Sequence, residues 1–73
     1  MNKLVIATTE EYKAFIANLP HEWSLNLMVL RLAWTQWIDP ATNDVIAQAL
    51  YIQGKDMPTY WISTNPRYRK ERN

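Results

Sequence analysis

The chain has 73 residues, of which 48% are hydrophobic and 12% are aromatic, and its formal net charge is +1. This composition predicts one small globular domain and excludes a disordered chain. Cysteine is absent from the sequence, which excludes disulfides and thiolate metal sites and suits a reducing cytoplasm. The longest apolar stretch is too short for a membrane-spanning helix, so we expect a cytoplasmic protein without a membrane partner.

The charges are unevenly distributed along the chain. Residues 1–64 hold four basic and six acidic residues, whereas residues 65–73 hold four basic residues and one acidic residue. The sequence therefore predicts a mildly acidic globular domain over 1–64, followed by a basic and flexible tail over 65–73.

The first two predicted elements are a strand and a helix. Residues 3–7 form a short apolar run that is typical of a strand. Thr8 is a candidate N-cap, and Glu11 lies three residues later, as a capping box requires. Apolar residues then recur at helical spacing: Tyr12, Phe15, Ile16 and Leu19. Pro20 ends the pattern, so we predict a helix over 9–19.

The stretch 23–38 holds three of the four tryptophans and fits two kinds of element. As a helix it would form a seam of apolar residues: Trp23, Leu27, Leu30, Trp34 and Trp37. Its length also favours a helix, since 16 residues rise about 24 Å as helix but about 53 Å as strand. The turn-forming residues at 39–44, however, lie between two apolar runs, as in a hairpin. We favour one long, bent strand over the helix.

Folding the chain back at 39–44 predicts an antiparallel strand pair. In this register Trp34 lies opposite Ala49 and Leu32 lies opposite Tyr51, which alternates large and small side chains.

The remaining residues predict two further strands. Residues 45–53 are rich in β-branched and aromatic side chains, although Pro40 and Gly54 would also bracket a helix there. A second turn is expected at 54–58, and 59–64 is a compact β-type run.

Together these elements predict an α+β fold. We expect one N-terminal helix packed on a mainly antiparallel sheet of three or four strands, in the order β-α-β-β-β. The alternative is a mostly α domain with three short helices near 9–19, 22–38 and 40–53.

The sequence contains no recognisable catalytic arrangement. His21 is the single histidine, and neither Ser24 nor Ser63 lies in a G-x-S-x-G motif. One glycine cannot form a glycine-rich phosphate loop, and the dispersed acids lack the spacing of a metal site. We therefore expect no enzymatic activity, cofactor, metal or small-molecule substrate.

The tryptophans favour a protein interface. Each brings roughly 150–250 Å² of surface, so a small core cannot easily bury all four. Exposed aromatic side chains are typical of interface hot spots. We expect a protein partner, or a second copy in a homodimer, to bind an aromatic patch formed by Trp34, Trp37, Tyr60, Trp61 and Arg31.

Arg31 is the one formal charge within 23–38 and has two interpretations. Its guanidinium could lie in solvent while the aliphatic part of the side chain packs on apolar neighbours. Alternatively, it could pair with an acid across a dimer interface and fix the register there.

The tail suggests nucleic-acid binding as an alternative function. Four cations lie there around one aromatic residue: Arg67, Tyr68, Arg69, Lys70 and Arg72. The cations could neutralise phosphates while Tyr68 stacks on a base.

No stretch of the sequence matches a motif of a known family. In kind, the chain is similar to the small accessory proteins of phages and other mobile elements, which are short, lack catalytic motifs and act by binding. This general similarity does not identify the molecule that the chain would bind.

Overall fold

The structure, a computed structural model, describes residues 3–68. The described elements are β1 (Leu4–Ala7), α1 (Thr9–Ile16), β2 (Ser24–Val29), β3 (Leu32–Asp39), β4 (Asp44–Ile52) and β5 (Thr59–Ser63), with short 3₁₀ turns at His21–Trp23 and Pro66–Tyr68. All neighbouring strands are antiparallel, and the sheet order is β1-β5-β4-β3-β2. Over residues 3–68, no helix has the length and hydropathy needed to span a membrane.

The predicted α+β fold, with one N-terminal helix on an antiparallel sheet, is confirmed. The mostly helical alternative is not supported, because the stretch that could have been helical forms β-strands. The sheet has five strands instead of three or four, since the predicted long strand is in fact two strands.

The start of α1 follows the predicted capping box. Thr8 Oγ1 accepts a hydrogen bond from the backbone N–H of Glu11 at 3.1 Å, and the Thr8 N–H donates to Glu11 Oε1 at 2.8 Å. These two bonds satisfy backbone donors that a helix start leaves free. The helix ends at Ile16, three residues earlier than predicted, and Leu19 N–H donates to the Ile16 carbonyl in the turn that follows.

The prediction of a single strand over 23–38 is wrong, because the chain turns back at Leu30 and Arg31. Val29 and Leu32 are paired, so β2 and β3 form a hairpin with a two-residue loop. Leu30 adopts a positive φ of 49°. Such loops usually contain Gly or Asn at positive φ, and neither residue is present here to signal the turn.

The β3–β4 hairpin is confirmed at the predicted turn, but its register shifts by one residue between Ile38 and Trp37. Ile38 pairs with Val45, as the predicted register requires, whereas Trp37 pairs with Ala47. Ile46 is therefore an extra residue in β4, a β-bulge. The predicted pairs of Trp34 with Ala49 and Leu32 with Tyr51 are wrong by one residue as a result. Trp34 lies opposite Leu50, and Leu32 lies opposite Ile52.

The core lies between α1 and one face of the sheet. Its buried apolar residues are Ala7, Tyr12, Phe15, Trp37, Ile46, Ala47 and Ile62. Tyr12 from α1 joins the two layers, because it stacks on Tyr60 with ring centroids 4.5 Å apart and accepts a hydrogen bond from Trp37 Nε1 at 3.0 Å. We call this side of the sheet the helix face.

Candidate functional site

The side of the sheet opposite α1 carries a continuous apolar surface. Neighbouring residues in a strand point to opposite faces, and paired residues on adjacent strands share a face. Three rows of paired residues thus lie opposite the helix face: Val29–Leu32–Ile52, Leu27–Trp34–Leu50–Thr59, and Leu25–Gln36–Gln48–Trp61–Ile6. We call these twelve residues the open face.

The open face is substantially exposed. The exposed fractions are 73% for Ile6, 60% for Val29, 46% for Leu25, 41% for Leu27 and 40% for Ile52. Trp34 and Trp61 are partly exposed. An antiparallel sheet with one face on the core usually has polar side chains on its other face. Here nine of the twelve residues are apolar, so the open face is mainly apolar, as the helix face is.

The open face carries no charge, and its three polar residues are Gln36, Gln48 and Thr59. Trp34 Nε1 donates to Gln48 Oε1 at 3.4 Å. Because this bond lies within the sheet, the polar atom of the Trp34 indole has a partner before anything binds. A dry apolar surface could therefore cover Trp34 without leaving its N–H unsatisfied.

The predicted interface residues do not form one patch. Trp34 and Trp61 lie on the open face, in adjacent rows. Tyr60 is on the helix face, stacked on Tyr12. Arg31 lies in the exposed β2–β3 turn, and its carbonyl accepts the N–H of Gln53 at 2.8 Å. Arg31 is thus an exposed residue of the β2–β3 turn.

The prediction that Trp37 belongs to an exposed aromatic patch is wrong. Trp37 is 8% exposed, and its indole N–H is hydrogen-bonded to Tyr12 beneath the helix. The His21 and Trp37 rings are arranged edge to face, with ring centroids 6.5 Å apart. Trp37 is therefore a core residue that holds the helix to the sheet.

The first two residues of the predicted nucleic-acid surface pack on the domain. The Tyr68 hydroxyl donates to Asp39 Oδ2 at 2.5 Å, and the Arg67 guanidinium lies 3.9 Å from the same oxygen. Tyr68 is thus engaged with Asp39 instead of standing free to stack on a base. The other predicted contacts, Arg69, Lys70 and Arg72, lie outside the described residues.

Asp39 is 2% exposed and ties the start of the tail to the β3–β4 turn. The hydrogen bond from Tyr68 holds the pKa of Asp39 below its ordinary value, aided by the N–H of Ala41, which donates to Oδ1 at 2.9 Å. Burial, together with the bond to the Asp39 carboxylate, raises the pKa of the Tyr68 phenol. These contacts favour a structural role for Asp39.

A shallow groove lies at the end of the sheet near the β3–β4 turn. It has a volume of about 590 Å³ and is lined by Glu22, Trp23, Ser24, Leu25, Ile38, Pro40 and Asn43. Glu22 is the one ionisable side chain in this lining, so the groove offers no pair of groups for acid–base catalysis. Over residues 3–68, no cluster of three or more His, Asp or Glu side chains could hold a metal ion.

The aliphatic part of the open face is not predicted from the sequence: Ile6, Leu25, Leu27, Val29 and Ile52. The sequence does contain a pattern that indicates such a surface. Residues 4–7 and 27–30 are apolar without interruption, a pattern typical of strands that are buried on both faces. Without the register, these residues could not be assigned to one side of the sheet.

Comparison of this chain with protein-family models, with curated proteins and with solved structures finds no match. The chemistry of the open face itself is therefore the guide to its function.

Proposed function

We propose that this chain is a non-enzymatic interaction protein that binds a protein partner, or a second copy of itself, through the open face. The observation that carries the proposal is the absence of any charge from the twelve residues of this exposed face. Contiguous apolar surface of more than a few hundred Å² on a small protein typically marks a binding site. An accessory or regulatory role, of the kind served by small phage and mobile-element proteins, fits this chemistry.

The composition of the open face supports a protein partner. Trp34 and Trp61 offer large, rigid side chains of the kind that dominate interface energetics. Around them lie Leu and Ile side chains, whose burial stabilises a complex by about 25 cal/mol per Å² of apolar area. The depletion of charged residues is typical of the core of an interface.

Nucleic-acid binding through the basic tail is the second candidate. The open face lacks the cations that neutralise phosphates beside an aromatic platform. Of the five tail residues predicted to contact nucleic acid, Arg67 and Tyr68 lie against Asp39. The described residues therefore favour the protein-binding proposal.

The proposal can be tested by affinity capture with three tagged full-length baits, namely the wild type, Leu27→Lys and Met28→Lys. Leu27 and Met28 are adjacent in β2 and point to opposite faces, and Met28 is 80% exposed. Each variant adds one lysine at an exposed strand position, so Met28→Lys is a matched control. Lysates are used with and without nuclease, and the captured proteins are identified by mass spectrometry.

We expect one defined protein, which can be the chain itself, to be captured by the wild type and by Met28→Lys but not by Leu27→Lys. Its capture should not change with nuclease. Equal capture by all three baits would contradict the open face as the binding site. Captured material that disappears with nuclease would instead support the basic tail.

A further inference from the structure

We infer that the partner of the open face is a second copy of this chain, so that two sheets stack face to face with their helices outside. This inference depends on the proposed function and names its partner. The area and the neutrality of the open face, and the position of Gln48 on it, favour a second copy.

The area of the open face fits a weak, concentration-dependent dimer. Strands lie about 4.8 Å apart and successive residues on one face of a strand about 6.6 Å apart, so each open-face residue covers about 32 Å². The twelve residues therefore present about 380 Å² on each copy, and two copies would bury roughly 800 Å² of flat area. That total lies at the low end of the scale, where transient complexes are found.

The neutrality of the open face permits self-association. In a two-fold interface each residue meets the same surface on the other copy, so a charge near the axis would face its own like charge. None of the twelve open-face residues is charged, whereas the domain as a whole carries both signs. A partner recognised by charge complementarity would require charges that this face lacks.

The position of Gln48 on the open face can fix a symmetric register. Gln48 is the middle residue of β4, and β4 is the central strand of the sheet. A two-fold axis along β4 would place Gln48 against Gln48 of the other copy and each row of the open face against the same row. A buried amide in an apolar interface is a known means of fixing register.

Pairing of β2 with a β2 strand of another copy is the competing geometry. β2 is an edge strand, and residues 24–29 include no Lys, Pro or bulge that would block such pairing. Edge pairing, however, leaves the apolar area of both open faces in water. Because burial of apolar area is the main driving force for association, stacking of the faces is favoured.

The experiment is sedimentation velocity on the full-length chain across a wide concentration range, for the wild type, Ile6→Lys, Val29→Lys and Met28→Lys. Ile6 lies on β1, at the sheet edge opposite β2. Face stacking requires Ile6, whereas edge pairing through β2 does not. Circular dichroism establishes that each variant is folded, and Val29→Lys replaces Ile6→Lys if the latter unfolds.

We expect a wild-type dimer, with its dissociation constant raised roughly 30-fold or more by Ile6→Lys and Val29→Lys and little changed by Met28→Lys. A dimer that persists unchanged in both open-face variants would overturn the inference. So would equal dissociation by Met28→Lys. A wild type that is monomeric at every concentration would also overturn it, while the capture experiment would still decide the proposed function.

Discussion

The indole N–H of Trp37 donates to the hydroxyl oxygen of Tyr12 at 3.0 Å, in the buried layer between β3 and α1. The two residues are 25 positions apart in the sequence, and this bond joins the N-terminal helix to β3. Burial raises the pKa of the Tyr12 phenol. The bond holds α1 against one face of the sheet, and within residues 3–68 no second α-helix is present to cover the other face.

The variant Tyr12→Phe is expected to destabilise the domain by about 1–3 kcal/mol, because the buried Trp37 N–H would lose its acceptor. Urea unfolding followed by circular dichroism measures this change. Tyr51→Phe is the matched control, since the exposed Tyr51 hydroxyl donates to the Lys55 carbonyl at the long distance of 3.3 Å. The control should lie within about 0.5 kcal/mol of the wild type. Equal effects of the two variants would contradict the role given to the Trp37–Tyr12 bond.

Stability is expected to fall at acid pH through Asp39. The pKa of Asp39 is lower in the folded chain than in the unfolded chain, where it is about 4. Its contribution is therefore complete above the unfolded pKa and is lost as pH falls through the folded pKa. Urea midpoints measured from neutral to acid pH should decrease less steeply in Asp39→Asn than in the wild type.

Two further variants test this assignment. Tyr68→Phe should also flatten the acid slope, because the Tyr68 hydroxyl is the main cause of the lowered pKa of Asp39. Asp56→Asn removes a carboxylate from an exposed turn and controls for the change in net charge. If Asp39→Asn retained the full acid slope of the wild type, the Asp39–Tyr68 contact would not be its origin.

The β2–β3 turn is expected to be strained at Leu30, which has a φ of 49° and is 99% exposed. A left-handed conformation costs a residue with a side chain about 1–2 kcal/mol, and glycine avoids this cost. The greater freedom of glycine in the unfolded chain offsets about 0.4–1 kcal/mol of the gain. Leu30→Gly should therefore stabilise the domain by about 0.5–1 kcal/mol in urea unfolding. Arg31→Gly, at a position without positive φ, should give no such gain.

Local patterns in the sequence predicted the elements that depend on neighbouring residues. The capping box of Thr8 and Glu11 is confirmed because both of its bonds join residues three positions apart. The β3–β4 turn is confirmed because Asp39 and Asn43 give it turn chemistry, with Asn43 at positive φ.

The features that the sequence did not predict depend on distant contacts. Leu30 has no turn propensity, and the β2–β3 turn is imposed by pairing of the strands around it. The bulge at Ile46 places two consecutive residues of β4, Ile46 and Ala47, fully in the core, which no simple alternation predicts. A shift of one residue in register also exchanges the faces of a strand.

The dependence on distant contacts also explains why the sequence predicts only part of the open face. Residue type alone identifies Trp34 and Trp61 as interface candidates, and both lie on the open face. Trp37 has the same chemistry but points to the helix face, and only the position of Tyr12 shows that it is buried. Leu27 and Val29 carry no distinctive chemistry, and their importance comes from their place in the sheet.

The most direct test of the open face as a binding surface is solvent accessibility at its methyl groups. A soluble paramagnetic agent broadens the NMR signals of methyl groups that water can reach. Leu27 and Val29 report on the open face, whereas Met28 and Leu30 are exposed apolar residues of the same hairpin that lie outside it.

At high protein concentration we expect the Leu27 and Val29 methyl signals to be protected while those of Met28 and Leu30 are broadened. Dilution should remove the protection if a second copy provides it. Addition of a captured protein should create it if that protein is the partner. Broadening of Leu27 and Val29 at every concentration, and equally with any captured protein present, would contradict the account.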